Sequence, residues 1–357
     1  MTTSAQERRT RILEVVRGSG TIRVVELASR LGIPAVTIRR DVAALADEGK
    51  IERTHGSVSL PADTGSGAAA GGPGRVIGML VPTVNNYFDE VVAGASEAAT
   101  AAGARVILGI APYETDSDQA QVDRLLESGV DGLLLTPNTA PGDGLAGGDW
   151  LGELPVPAVL VERRAAPASP AAQLDAVCSN HRHGVLLALR RLAELGHRSV
   201  LLAARGDTRT AHEVRAGYAA AVHHLGLTEL PVIDVPNPGN AHSSGDDRDL
   251  AAQIAEAARA GARAVLVHND QDAIQLPPLL RTHGLVVPQD MALISYDDVY
   301  AALSDPPLTA VAPPKRAVGA EALNLLLRRL DAGADLPVHQ IELLPSLKIR
   351  ASCGDPV

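Results

Sequence analysis

Aromatic side chains are nearly absent: they make up 2% of the 357 residues, with Phe88 the only Phe and Trp150 the only Trp. Any pocket that needs a flat apolar ring has few to choose from, so each position carries information. Lysine is equally scarce, at Lys50, Lys315 and Lys348, and the other basic residues are arginine. The two cysteines, Cys178 and Cys353, lie far apart without metal-ligand spacing. They read as reduced thiols of a cytoplasmic protein. No long apolar run occurs. The opening MTTSAQERRTR passes into an amphipathic pattern, which excludes a signal peptide and a membrane span.

Catalytic and cofactor motifs are missing too. There is no nucleophile elbow, phosphate loop or paired catalytic carboxylate motif. Gly142-Asp143-Gly144-Leu145-Ala146-Gly147 matches G-x-G-x-x-G but neither follows a strand nor opens a helix, so no nucleotide cofactor is expected. His181/His183 and His223/His224 lack a third ligand at usable spacing, and no metal is expected.

What is present is a globular composition, 46% apolar and 21% charged, with net charge −10. The charge is uneven. Residues 1–60 hold ten basic and seven acidic side chains, while the remainder holds 22 basic and 35 acidic ones. An acidic body repels nucleic acid, and a mildly basic head can approach it. The strong composition break is PADTGSGAAAGGPG, residues 61–74, a flexible linker without apolar periodicity. It separates a head, residues 1–60, from a body, residues 75–357.

Three helices can be drawn in the head, over about 5–17, 24–31 and 35–48. In the third, Ile38, Val42 and Leu45 fall in one sector at 100° per residue and form the buried stripe. The opposite face carries Thr37, Arg39 and Arg40 among small residues, which suits a helix lying close in a major groove. After Gly49, Lys50 to Leu60 reads as strand, turn, strand: a wing that sets Lys50, Arg53 and His55 along a DNA backbone. The bland alternative is a small helical domain with a solvated basic face. Helix-turn-helix, wing and linker together favour DNA. The run Thr37-Ile38-Arg39-Arg40-Asp41 and the Arg53-x-His55-Gly56 wing resemble the deoxyribonucleoside-regulator (DeoR) type of winged helix-turn-helix. Pro34 departs from that pattern, which has a capping serine there; proline fits a first helical turn, but the capping hydroxyl is lost.

The body repeats one grammar: amphipathic helix, glycine, short apolar strand, as in SEAATAAG-ARVILGI and AAQIAEAARAG-ARAVLVH. Continuously apolar strands alternating with helices imply an α/β fold with parallel, doubly wound sheets. About ten strands exceed a comfortable single sheet, and the loop at Arg164–Pro170 sits midway, so two lobes with a cleft are expected. Ligands in such folds bind outside the carboxyl ends of strands.

IGMLVPTVNNYFDEVVAGASEAATAAG, LRRLAELGHRSVLL, Arg215-Ala216-Gly217-Tyr218, HND (268–270) and ISYDD (294–298) resemble, in order, the lactose-repressor (LacI) and periplasmic sugar-binding family. The chain is thus similar to a hybrid: a winged helix-turn-helix head plus a two-lobed periplasmic-binding-protein-like domain.

Candidate ligand contacts follow predicted strands. Asn86, Tyr87 and Phe88 follow the first and offer a polar group with two of the few rings, enough for one face of a pyranose. Glu162, Asn269, Asp270 and Asp297 end later strands, and carboxylates there accept hydroxyl hydrogen bonds that an opposing Arg215 complements by donating. The resemblance implies effector contact for Glu162, Arg215 and Asp297, for the Tyr87–Phe88 pair, and for Arg209. Glu162 stands where that family has aspartate followed by arginine. The plainer readings are turn caps for Asp270 and Asp297, a helix-surface arginine for Arg215, and core for Phe88.

Together these features describe a sequence-specific transcription regulator of the repressor kind, not an enzyme. Its expected partners are operator DNA, a neutral sugar-like effector and a second copy of itself as a homodimer. The alternatives are a doubly wound sugar-converting enzyme fused to a DNA-binding head, and a sugar carrier, against which the head argues.

The linker generates a prediction about signalling. The lactose-repressor resemblance implies a hinge helix between head and sensor, but glycine disfavours a helix by up to about 1 kcal/mol per residue. A flexible tether transmits little torque and sets only an effective concentration for the second head. Replacing residues 65–72 by an equally long Gly/Ser run should leave effector-dependent operator release intact in gel shifts. Loss of release, with DNA and effector affinities each normal, would show that the linker carries specific structure.

Overall fold

A computed structural model describes residues 9, 11–12, 15, 21–31, 33, 35–47, 51–54, 57–59, 74–83, 86–112, 118–138, 149–235 and 246–354. By contacts the chain divides into two compact units, Met1–Gly72 and Pro73–Val357.

In the first unit, α1 (Val24–Leu31) and α2 (Ala35–Asp47) form the helix pair. Ile12, Leu27, Ile38, Val42, Leu45, Ile51 and Val58 bury its core. Residues 9, 11, 12 and 15 of the expected first helix are helical. The wing is β2 (Glu52–Thr54) against β3 (Ser57–Ser59). A further strand, β1 (Thr21–Arg23), pairs with the other edge of β3. Three residues are too few for a period-two signal, so this strand was invisible in the pattern.

The second unit holds two six-stranded sheets. The first orders β5 (Arg105–Ile110), β4 (Val76–Val81), β6 (Gly132–Leu135), β7 (Ala158–Val161), β8 (Asp175–Ser179) and β14 (Gln340–Leu343), all parallel. The second orders β10 (Ile233–Asp234), β9 (Leu201–Ala204), β11 (Ala264–His268), β12 (Ala292–Tyr296), β13 (Thr309–Ala312) and β15 (Ser346–Lys348), of which only β15 runs antiparallel. Every residue of β6, β7, β9, β11 and β12 is buried, which is why these strands are apolar without alternation. The helix-ending glycines behave as expected where the chain must turn left-handed, as at Gly129 (φ +73°) and Gly261 (φ +109°).

The lobes are not consecutive halves. The loop at 164–170 lies inside the first lobe, between β7 and β8. The chain instead crosses three times: from β8 into α5, from β13 into α10, and from β14 into β15. The remaining helices are α3 (Asn86–Ala101), α4 (Asp118–Glu127), α5 (His181–Glu194), α6 (Arg209–Leu225), α7 (Asp246–Arg259), α8 (Asp270–Ala273), α9 (Leu276–Thr282) and α10 (Lys315–Ala332). Although α10 follows the second lobe's sheet, it packs on α3, β7 and β8 of the first. Arg329 near its end grips buried Asp175 of β8 with two bonds of 2.9 and 3.0 Å, and the His339 amide adds a third at 2.7 Å. This clip seats β14 beside β8.

The α3–α10 contact is close because glycines face each other. A Cβ at Gly319 would overlap the carbonyl of Val91, and one at Gly94 would overlap that of Arg316. Backbone has nowhere to yield. Gly319→Ala should therefore cost about 1–3 kcal/mol by overpacking, read in calorimetry as a melting-point loss of roughly 2–4 °C per kcal/mol.

Candidate functional site

In the head, α2 turns Ile38, Val42 and Leu45 inward at 0–1% exposure, and Arg40 projects outward on the opposite side. Thr37 is half-buried. Asp41, which sequence reasoning left without a role, is buried and lies 3.6 Å from Arg9, so the acid of the motif braces the helix packing. Lys50 and His55, and the side chains of Arg39, Arg53 and Asn86, lie outside the described residues.

In the body, strand ends of both lobes face one cleft. Glu162, just past β7, sits at φ +51°, a left-handed backbone unusual for its type. Its Oε1 accepts from the Tyr87 hydroxyl at 2.8 Å and the Ser179 hydroxyl at 2.8 Å, and its Oε2 accepts from the Ser179 amide at 2.9 Å. Arg163, itself buried, donates to the Glu162 carbonyl at 2.8 Å and to that of Pro137 at 2.8 Å. Burial and the neighbouring Glu162 raise the Tyr87 hydroxyl well above its usual range.

Opposite, just past β12, Asp297 is 8% exposed at φ +97°. Its Oδ1 is buried and has no hydrogen-bond partner among the described residues. Burial pushes its carboxyl up to about 7, with Lys315 pulling down and Asp270 and Glu162 pushing up. The ammonium of Lys315 donates to the Asp297 carbonyl and lies 5.4 Å from the Tyr87 ring centre, so one lysine at a lobe crossing touches both walls.

A cavity of about 510 Å³ opens beside Glu162, with Tyr87 and Asp297 outside its lining. Glu162, Ser179, Asn180, His181, Arg182, Arg209, Thr210, Glu213, Cys178, Arg164 and Glu342 line it. Its charges are already matched: Arg182 pairs with Glu213 at 2.8 Å, Arg209 with Glu213 at 3.2 Å, and Arg164 with Glu342 at 2.8 Å. Burial works against the Glu213 carboxylate, but the two arginines hold it below the ordinary range. His181 bonds the Tyr296 hydroxyl at 3.1 Å, and burial lowers its pKa against the pull of Glu162. Burial likewise raises the Cys178 thiol to about 12, which leaves it an unreactive wall. Among the described residues no His, Cys, Asp and Glu gather as a metal site.

Several expected contacts are corrected. Phe88 is 5% exposed and packs in the first lobe's core, because the first turn of α3 points it beneath the sheet while Tyr87 faces the cleft. Asp270 is held by the turn after β12, its Oδ2 accepting the amides of Val299, Tyr300 (3.0 Å) and Ala301 (3.3 Å), while its buried Oδ1 has no hydrogen-bond partner among the described residues. Asn269 caps α8, its Oδ1 accepting from the Gln271 amide at 3.0 Å. Arg215 is bound to the carbonyls of Ala204 and Arg205 and to Asp234, at 2.6 Å, at the ends of β9 and β10. Arg209, six residues earlier, opens α6 at the cavity instead. The residues that sequence reasoning missed, Ser179, Arg182 and Glu213 among them, cluster after β8 and in the first turns of α5 and α6. The available signal was the polar run Ser179 to His183 directly after an apolar strand.

Two family models match the chain: a DeoR-like helix-turn-helix domain over residues 8–64 and a periplasmic binding protein-like domain over residues 189–353. The HTH-type transcriptional repressor PurR of Vibrio campbellii is 32% identical over 290 residues, spanning 77% of this chain and 80% of that protein. The chain belongs to the LacI family of transcriptional repressors. As a LacI-family regulator it is a hybrid, since its DNA-binding head is of the DeoR-like kind. Solved structures share the fold: a LacI family regulator of Enterococcus faecium with bound ribose covers 79% of this chain and all of that one, with TM-score 0.63 and 22% identity. The lac repressor dimer bound to operator and an anti-inducer gives TM-score 0.65 at 21% identity, covering 79% of this chain and 95% of that one. No helix among the described residues of this regulator is long and apolar enough to cross a membrane.

Asp297 generates a prediction with a definite sign. An acid whose folded pKa is raised contributes stability below its unfolded value, near 4, and loses it as pH rises through about 7. Asp297→Asn should melt close to wild type at pH 4 and progressively higher up to pH 8, by roughly 2–4 °C for each kcal/mol relieved. A gap that does not grow with pH would show that Asp297 is not held neutral by its surroundings.

Proposed function

We propose that this regulator binds operator DNA as a homodimer through α2 and the wing, and that a neutral sugar-like effector closing the interlobe cleft controls that binding. The observation that carries the effector reading is Asp297: a buried acceptor without a partner among the described residues, on strained backbone, joined through Lys315 to the Tyr87–Glu162 wall. A hydroxyl supplies the missing donor at no charge cost. The ribose in the Enterococcus faecium neighbour supports the same ligand class. Neutrality follows from the cavity's pairing, because a phosphate would have to draw Arg182, Arg209 or Arg164 from a carboxylate already in contact.

The pocket is read as a binding site and not a catalytic one. The oxygens of Glu162 are engaged by Tyr87 and Ser179, so it holds the wall in place. Asp297, titrating near neutrality, is the group a sugar-converting enzyme would need, and conversion of a bound sugar on incubation would support that reading instead.

Operator binding is tested at the recognition helix. Arg39→Ala and Arg40→Ala should each weaken binding of the mapped operator in gel shifts at matched salt, at least one of them relaxing base preference by about 1–3 kcal/mol. Wild-type binding by both variants would remove α2 from the DNA interface. The effector class is tested by titrating operator-bound protein with sugars and their phosphates. Release by a neutral sugar, lost in Asp297→Ala, is expected; release by the phosphate alone would overturn the neutral reading.

A further inference from the structure

The cleft cavity does not end at its lining. Arg164 and Glu342, which close one side of it, also line a second cavity of about 510 Å³ on the first lobe. What divides the two is one ion pair, with side chains 42% and 40% exposed. A pair this open to water adds little stability and separates easily. Its two halves are not equally held. Asn180, at a lobe crossing, donates to Glu342 at 2.6 Å, whereas Arg164 has no second partner among the described residues. Arg164 is the movable half.

Beyond the pair the chemistry changes. Ala165, Pro167 and Ala172 give methyl and ring surface, and Gln340 supplies one amide. The Gln340 Nε2 is fixed on the Leu174 carbonyl at 3.0 Å, which leaves its Oε1 as an acceptor at the rim. An apolar wall with a polar edge matches a sugar ring, whose C–H face is apolar and whose rim carries hydroxyls. The inner cavity, lined by ions and hydroxyls, offers no such wall.

We propose that the effector is a glycoside of at least two sugar units, one ring in the cleft and the next in this outer cavity, with Arg164 swung from Glu342 onto hydroxyls near the linkage. This rests on the neutral-sugar reading above and narrows it.

The test uses the full chain and calorimetry with matched pairs: glucose with maltose and cellobiose, galactose with lactose and melibiose, xylose with xylobiose, and ribose alone. At least one disaccharide should bind about tenfold or more tighter than its own monosaccharide. Ala172→Trp, which fills the outer cavity, should abolish that advantage and leave the monosaccharide affinity unchanged. Gln340→Ala, on an exposed strand edge, should lower disaccharide affinity about fivefold without perturbing the fold. Monosaccharides, ribose included, binding as tightly as the best disaccharide would overturn the extension and leave the sugar reading standing. So would wild-type disaccharide affinity in both variants. If no sugar of either size binds, the sugar reading itself fails and the extension with it.

Discussion

The carboxylate of Glu162 is the contact on which the cleft depends. It gathers Tyr87 from the first turn of α3 and Ser179 from the end of β8 onto the end of β7, drawing three separate elements of the first lobe to one point. The left-handed backbone at Glu162 is sustained because Arg163 holds its carbonyl and β7 is buried on both faces. With Tyr87 anchored there, its ring becomes the surface that Lys315 covers, and Lys315 in turn holds the carbonyl of Asp297 in the second lobe. One buried acid thus sets the wall that the other faces.

The two acids are placed for different work. Glu162 accepts from three internal donors, so it shapes the site. Asp297 is buried with an oxygen lacking a donor among the described residues, a costly arrangement. Unsatisfied groups of this kind recur at sites where stability is exchanged for function. Three chain crossings, and an α10 helix that belongs by sequence to one lobe and by packing to the other, tie the two lobes together.

The head solves a separate problem with separate means. Its buried stripe and the Asp41–Arg9 contact leave Arg40 on the outer side of a short helix. A DeoR-like head on a LacI-family body joins a DNA reader and a sensor whose physical requirements are independent.

Everything encoded by local periodicity was legible in the sequence alone. The α2 stripe, the wing, the helix–glycine–strand repeats and the parallel two-lobed architecture follow from spacings within a few residues, and tertiary packing respects them. Glu162 and Asp297 could be marked as cleft candidates because strand ends are recognisable, and Arg209 only through the family resemblance. What no local rule could decide was which polar residue after a strand stays free. Asp270 and Asp297 are the same residue type after neighbouring strands, yet the Oδ2 of Asp270 takes three amides of the turn at 299–301, while the buried Oδ1 of each has no partner among the described residues. Arg209 and Arg215 lie on one helix, and its phase against β9 sends Arg215 to the carbonyls of Ala204 and Arg205 while Arg209 meets the cavity. Lys315, more than two hundred residues from Tyr87, reaches its ring only because α10 crosses back to the first lobe. Local pattern determines elements; which donors and acceptors remain for a ligand is settled only when distant segments have taken theirs.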